Sequence, residues 1–190
     1  MRVIGGTAKR RQLRAPDIDS LRPTSDRVRE AIFDILASRG VLEGAVVLDA
    51  FAGSGALGIE ALSRGADSVC FVDSDRRAVA AIRANLASTG FVAAPSARVV
   101  RSDVLQFLAS EPGTLYDLAL VDPPYAFDEW PLLLGLLRAD LAVLETSRAV
   151  ALGGSYEVCR EYRYGGTLVT LVEARGRDHD DSRPNEKDPV

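Results

Sequence analysis

Short apolar runs that read as strands alternate with segments of helical period through most of this 190-residue chain, and that alternation constrains the fold more than any other feature. Strand-like runs fall at residues 46–48, 68–72, 97–100, 118–121 and 141–144. Between them lie helical patterns: 56–63; a segment capped by Ser74 or Asp75 that buries Val79, Ile82 and Leu86; 103–109; and 128–138, with Pro131 in its first turn. An earlier helix is expected from a cap at Thr24 or Ser25 to about Arg39, with Val28, Ile32, Ile35 and Leu36 on its apolar face. Segments 156–162 and 167–172 bracket Tyr164-Gly165-Gly166 as an antiparallel hairpin. Strands separated by helices of about ten residues imply an α/β domain with a mostly parallel sheet covered on both faces.

In such sheets ligands bind beyond the carboxyl ends of the strands, and right-handed crossovers gather those ends on one rim. Asp49, Asp73, Asp103 and Asp122 each fall at or just past the end of a strand-like run. One acid there is usually a helix cap, a role that Asp103 also fits. Four on one rim suggest a site.

The first loop reads Asp49-Ala50-Phe51-Ala52-Gly53-Ser54-Gly55-Ala56-Leu57-Gly58. Gly53, Gly55 and Gly58 satisfy the dinucleotide fingerprint, and Asp73 stands 15 residues beyond to receive a ribose, so a nicotinamide oxidoreductase competes. Two features weigh against it. The glycines begin four residues after an acid, which makes the loop longer than the tight fingerprint turn. That acid also repels a pyrophosphate and attracts a cation. S-adenosylmethionine, with an ammonium, a sulfonium and one carboxylate, is net positive. Asp49 then attracts its ammonium, Gly53 and Gly55 let the backbone approach it, Asp73 takes the ribose hydroxyls, and Asp103 takes the adenine amine.

The second motif is Asp122-Pro123-Pro124-Tyr125, directly after the run 118–121. An exocyclic amine on a base is a poor nucleophile because its lone pair is delocalised into the ring. The Asp122 carboxylate and the Pro123 carbonyl can accept its two N–H bonds and turn the lone pair outward. Two prolines stiffen the loop, and Tyr125 can stack on an extruded base. Phe127 and Trp130 extend the apolar wall or pack beneath it. Methylation at a pyrimidine carbon needs a cysteine nucleophile, and neither Cys70 nor Cys159 accompanies this loop.

Net charge is −4, yet residues 1–30 carry +4 and the remainder −8. Every charge in residues 1–14 is positive: Arg2, Lys9, Arg10, Arg11 and Arg14. A basic arm on an acidic body suits a phosphate-rich partner. Both cysteines sit in apolar contexts and read as buried free thiols of a reducing compartment. The single histidine, His179, lies in a polar stretch and argues against a histidine-based metal site. The longest apolar run has six residues, 132–137, against the ~20 a membrane span needs, and no signal-peptide core follows Met1. The chain is therefore expected in the cytoplasm.

These motifs resemble those of the RsmD-type bacterial methyltransferases, which modify the 2-amino group of a guanine in small-subunit ribosomal RNA. The likeness covers residues 49–66 and 122–125, and more selectively Met1-Arg2-Val3-Ile4-Gly5-Gly6, the segment 22–33 and Arg163-Tyr164-Gly165-Gly166-Thr167. It implies a class I S-adenosylmethionine-dependent, Rossmann-like fold with seven strands, mostly parallel, the last antiparallel. Three regions follow: a basic N-terminal hairpin (1–20), the methyltransferase domain (21–175) and a disordered polar tail (176–190).

The resemblance also implies a site. Donor binding goes to Asp49, Phe51, Ala52, Gly53, Ser54, Gly55, Asp73, Ser74, Asp103 and Val104. Catalysis goes to Asp122, Pro123, Pro124 and Tyr125. Arg10, Arg11, Arg22, Thr24, Arg27 and Arg29 are candidates for RNA contact, although Arg27 or Arg29 can instead pair with Asp26, Glu30 or Asp34. The expected partner is ribosomal RNA or a small-subunit assembly particle, with no membrane, bound by a monomer. The chain departs from the family in having Asp73 where glutamate is usual, and Asp140-Leu141 in place of a glycine-containing turn. A DNA adenine or cytosine amine methyltransferase, and a non-enzymatic RNA-binding protein, are the competing readings.

Overall fold

The computed structural model describes residues 1–16, 26–92 and 96–176. Seven strands form one sheet: β1 (Val46–Ala50), β2 (Ser68–Asp73), β3 (Ala97–Arg101), β4 (Tyr116–Val121), β5 (Ala139–Thr146), β6 (Tyr156–Tyr164) and β7 (Thr167–Ala174). Their order is β3-β2-β1-β4-β5-β7-β6. The first five run parallel, and β7 is inserted antiparallel between β5 and β6. This is the class I methyltransferase topology that the resemblance implies; the alternation by itself predicts its parallel part.

Among the described residues five helices cover the sheet: α1 (Asp26–Ser38), α2 (Ala56–Ser63), α3 (Arg76–Thr89), α4 (Val104–Ser110) and α5 (Trp130–Leu136). On one face Ile32 and Leu36 of α1, Ile59 of α2 and Ile82 of α3 pack with Val47, Phe71 and Leu118. On the other, Phe107 of α4 and Trp130 and Leu133 of α5 pack with Leu48, Val72 and Ala119. α3 starts where the Asp75 carboxylate accepts from the Arg77 N–H at 2.7 Å, and ends at Gly90 in the left-handed region. No described helix is long and apolar enough to cross a membrane.

Several boundaries differ from the sequence reading. β1 continues through Asp49 to Ala50, so Asp49 lies inside the strand and not at its end. Asp140 and Leu141, expected in a turn, lie within β5, where Leu141 pairs with Leu118 on one side and Glu173 on the other. The strand extends because its neighbours supply a full ladder there. Cys70 is buried as expected, but Cys159 is only half-buried, because it sits at the register shift of the edge strand β6. The expected helix caps Thr24 and Ser25, and all of the polar tail after Gly176, lie outside the described residues.

The N-terminal hairpin does not stand off the body. Arg2 bridges Gln12 in antiparallel fashion, and Val3, Ala8 and Leu13 enter the same core as α1, α2 and α3. Gly6 adopts φ +72° against the backbone of Ser63, where a Cβ would lie 1.7 Å from the Ser63 carbonyl oxygen. No side chain fits between the hairpin and the end of α2.

Candidate active site

β2 and β3 lie on one side of β1, β4 and β5 on the other, so the chain reverses direction across the sheet at β1 and β4. That switch point opens a crevice at the carboxyl ends of the strands. Ala50 is level with Val72 and Val121, which places Asp73 and Asp122 one residue further on, either side of Phe51. Two strand spacings separate them, about 10 Å.

The glycine loop leaves β1 through Phe51, a non-glycine residue at φ +60°. A bulky residue is strained there and needs its surroundings to hold it. They do: the Ala52 N–H donates to the Val72 carbonyl at 3.0 Å, and the Gly53 N–H donates to the Asp73 carboxylate at 2.8 Å. Gly55 then enters α2 in the left-handed region at φ +75°. Gly58 packs so tightly on β1 and β2 that a Cβ would lie 2.3 Å from Phe71 and 2.9 Å from the Asp49 carboxylate.

Asp49 is 1 % exposed and accepts one hydrogen bond, from the Gly58 N–H at 2.8 Å. Burial pushes its carboxyl well above the usual range; that bond offsets part of the effect, and the charges of Asp122 and Asp73 add to it. The carboxylate therefore lies beneath the loop, short of positive partners. Asp73 is half-buried at the rim, with one oxygen accepting from Gly53 and the other from the Asp75 N–H at 2.8 Å. Ser74 is exposed beside it. Asp103 is exposed past the end of β3 and caps α4, accepting from the Gln106 N–H at 3.0 Å. Val104, the first residue of that helix, is buried.

Asp122 and Pro123 are half-buried, while Pro124 and Tyr125 are exposed. Tyr125 is 67 % exposed, a bare ring at the mouth of the crevice. The loop turns back through the Phe127 N–H donating to the Pro124 carbonyl at 2.8 Å. Phe127 then contacts Phe51 edge-on at 5.2 Å and Trp130 at 5.3 Å. This aromatic row ties the Asp122 loop to the glycine loop, so one wall serves both halves of the crevice. Cys70 faces the opposite side of the sheet among α4 and α5, with its thiol pushed up to about 11 by burial, and is no nucleophile for this crevice.

The basic arm is bound by three buried polar side chains. Glu60 accepts from the Ile4 N–H at 2.8 Å, the Gly5 N–H at 2.7 Å and Arg64 Nε at 2.8 Å. Ser63 donates to the Gly5 carbonyl at 2.6 Å and accepts from the Ala8 N–H at 2.9 Å. Asn85 accepts from the Arg14 N–H at 2.8 Å and donates to the carbonyls of Arg14 and Ser54, both at 2.9 Å. Asn85 thus joins the arm to the glycine loop. Sequence reasoning missed all three. The signal available was Glu60, the one charge in the otherwise apolar helix 56–63.

Arg10 and Arg11 are exposed on this arm, with Arg2, Lys9 and Arg14, and Arg27 is exposed on α1. Arg29 does not join them. It is 0 % exposed, and its Nη2 donates to the Arg2 carbonyl at 2.5 Å and to Asp26 at 2.9 Å. An arginine held inside the arm–helix junction is unavailable to a phosphate, so its expected RNA contact is corrected to a structural one. Arg22 and Thr24 lie outside the described residues.

The chain is similar to known proteins over most of its length. The family profile described as conserved hypothetical protein 95 matches residues 1–173. Ribosomal RNA small subunit methyltransferase D of Escherichia coli K12 is 43 % identical over 145 residues, covering 76 % of this chain and 67 % of the relative. The Bacillus subtilis protein YlbH is 37 % identical over 188 residues, covering 93 % of this chain and all of the relative. The solved structure of yhhF from Escherichia coli superposes with a TM-score of 0.79 at 37 % identity, covering 92 % of this chain and 97 % of that one.

Proposed function

The chain belongs to the RsmD-type family that the conserved hypothetical protein 95 profile describes, and from that premise we propose that it transfers a methyl group from S-adenosylmethionine to the 2-amino group of a guanine in small-subunit ribosomal RNA. The observation that carries the reading is an acid-lined glycine loop and an Asp-Pro-Pro-Tyr loop facing one crevice, tied by Phe51 and Phe127.

The residues present fit the donor. Asp49, Asp73 and Asp122 lie close enough that each of the other two raises the Asp49 carboxyl. Such a cluster favours a net cation and opposes a pyrophosphate, which removes the support for a nicotinamide cofactor. S-adenosylmethionine supplies, when bound, a methyl group on a positively charged sulfur. Gly53 and Gly55 present bare backbone to the ligand. Each Asp73 oxygen keeps a second lone pair for a ribose hydroxyl, Ser74 stands beside it, and Asp103 with the start of α4 at Val104 flanks the adenine end. Asp49 acts from beneath the loop, through its field and its hold on Gly58.

On the acceptor side, the Asp122 carboxylate and Pro123 carbonyl accept the two N–H bonds of the base amine and aim its lone pair into the crevice. Pro123 and Pro124 restrict the loop, so little reorganisation accompanies the reaction. Tyr125 offers its exposed ring to the unstacked base. The exposed arginines of the arm hold the RNA backbone. The amine chemistry alone suits adenine or cytosine in DNA equally well. The arm is packed on the body and offers no element for a DNA major groove, and the Escherichia coli relative is named for ribosomal RNA.

Asp122→Ala is expected to reduce methyl transfer to small subunits by about a hundredfold or more while donor affinity changes by less than about threefold. Single-turnover transfer and equilibrium binding of the donor separate the two effects. Turnover near that of the wild type sinks the assignment of Asp122.

A further inference from the structure

The β6–β7 hairpin takes no part in the site above, yet the topology carries it to the same rim. β7 is antiparallel to both of its neighbours, so β6 runs parallel to β5 and its carboxyl end, Tyr164, points the same way as Asp122. The registers give the height. Val121 is level with Leu144, Leu144 with Thr170, and Thr170 with Glu161, so Tyr162 stands level with Asp122 and Tyr164 rises two residues above it. Three strand spacings separate β6 from β4, about 14 Å.

The face that carries these rings is chemically distinct. Arg160 pairs with Leu171 and Tyr162 with Val169, both on the α1 side of the sheet, so Arg160, Tyr162 and Tyr164 form one ladder rising towards the rim. Tyr162 and Tyr164 are half-exposed, with ring centroids 6.5 Å apart and planes 19° from parallel. Arg160 is exposed below them. Glu161 points to the other face and meets Thr170, so the acid is segregated from the ladder. Arg163, next to the turn, and Arg148, in the loop leaving β5 on the same rim, are both exposed.

Tyr162 and Tyr164 pack against the α1-side core, but the edge position leaves each ring only half-covered. Parallel aromatic faces flanked by arginines are how proteins hold single-stranded nucleic acid: bases stack on the rings, and cations track the phosphates. We infer that Tyr162 and Tyr164, with Arg160 below them on the same face, form a second stacking platform for unpaired nucleotides of the same RNA, flanking the base held at Tyr125. This rests on the function proposed above and extends the acceptor site along the rim, from β4 across β5 and β7 to β6.

The test uses steady-state methyl transfer to unmethylated small ribosomal subunits by the full chain. The double variant Tyr162→Ala/Tyr164→Ala is expected to raise KM for the subunits about tenfold or more. Its kcat at saturating subunits and its donor affinity stay at wild-type values, which also shows that it is folded. Tyr162→Phe/Tyr164→Phe keeps both rings and is expected to keep the wild-type KM. An unchanged KM in the alanine variant, or an equal loss in the phenylalanine variant, overturns the platform; the latter points to hydroxyl bonding or to a protein strand pairing with the β6 edge. If wild-type protein transfers methyl groups to the subunits and the platform variants still match it, the platform alone falls. If the wild type transfers none, the parent reading falls with it.

Discussion

Two buried carboxylates lie 11 residues apart on either side of the glycine loop, and their surroundings could hardly differ more. Glu60, 0 % exposed, receives two backbone N–H groups and an arginine. Asp49, 1 % exposed, receives one backbone N–H and faces the charges of two further acids. A buried charge is tolerated when paired and saturated with hydrogen bonds. Glu60 meets that condition with groups of its own chain, and the product is structure: the arm is stapled to α2. Asp49 does not meet it, and the cationic donor proposed above would fill that shortfall. The degree of internal compensation, more than burial itself, separates the structural acid from the one proposed to serve the donor.

That contrast is broken most easily at Glu60. Glu60→Ala leaves the Ile4 and Gly5 N–H groups and the Arg64 guanidinium without their acceptor, and is expected to cost about 3 kcal/mol of stability in urea denaturation. Hydrogen exchange at Ile4 and Gly5 should accelerate before exchange in β1 does. A variant as stable as the wild type would mean the staple is decoration.

Asp49→Asn is expected to act with the opposite sign. The amide oxygen can still accept from Gly58, while a poorly compensated charge is removed. Stability of the ligand-free protein should rise by about 1 kcal/mol, and donor affinity should fall about tenfold or more. Loss of both together would put Asp49 in the same class as Glu60.

The pH dependence sharpens the same point. The folded-state pKa of Asp49 is raised, so the folded protein holds that proton more tightly than the unfolded chain does. Its contribution to stability is complete below the unfolded value of about 4 and is lost as pH rises through the folded value. The cationic donor prefers the ionised form, so its affinity should climb over that same rise, by up to about tenfold per pH unit. Thermal melts and donor titrations across pH should show opposite slopes in the wild type, and both slopes should flatten in Asp49→Asn.

The smallest effect concerns what the staple presents. Arg10→Glu/Arg11→Glu should leave stability unchanged and lower the salt slope of RNA binding by about 2. An unchanged slope would leave the arm as packing without a partner.

Local patterns made much of this legible in advance. The helix 56–63 coincides with its expected bounds, and Asp73, Asp103 and Asp122 did mark one rim, with Asp49 one residue short of it, because period and strand-to-loop order are properties of neighbouring residues. The staple was not legible. Ile4 and Glu60, or Arg14 and Asn85, are brought together over separations of 56 and 71 residues. Nothing local distinguishes Asn85, between Ile82 and Leu86, from a solvated helix position. For Arg29 the expected alternative, pairing with Asp26, does form; its burial was not legible, because it comes from the backbone of Arg2, supplied by an arm whose docking the sequence does not announce. The apolar run gives β5 as 141–144, with Asp140-Leu141 at the family's turn, whereas the ladders on both sides carry the strand through.

The most direct test offers isotopically labelled S-adenosylmethionine to unmethylated small subunits, followed by nuclease digestion and mass analysis of the labelled nucleoside. The account predicts a single product, guanosine carrying one methyl on its 2-amino nitrogen. A label on a ring carbon, a ribose hydroxyl or another base, or a label that appears in DNA and not in ribosomal RNA, would contradict it.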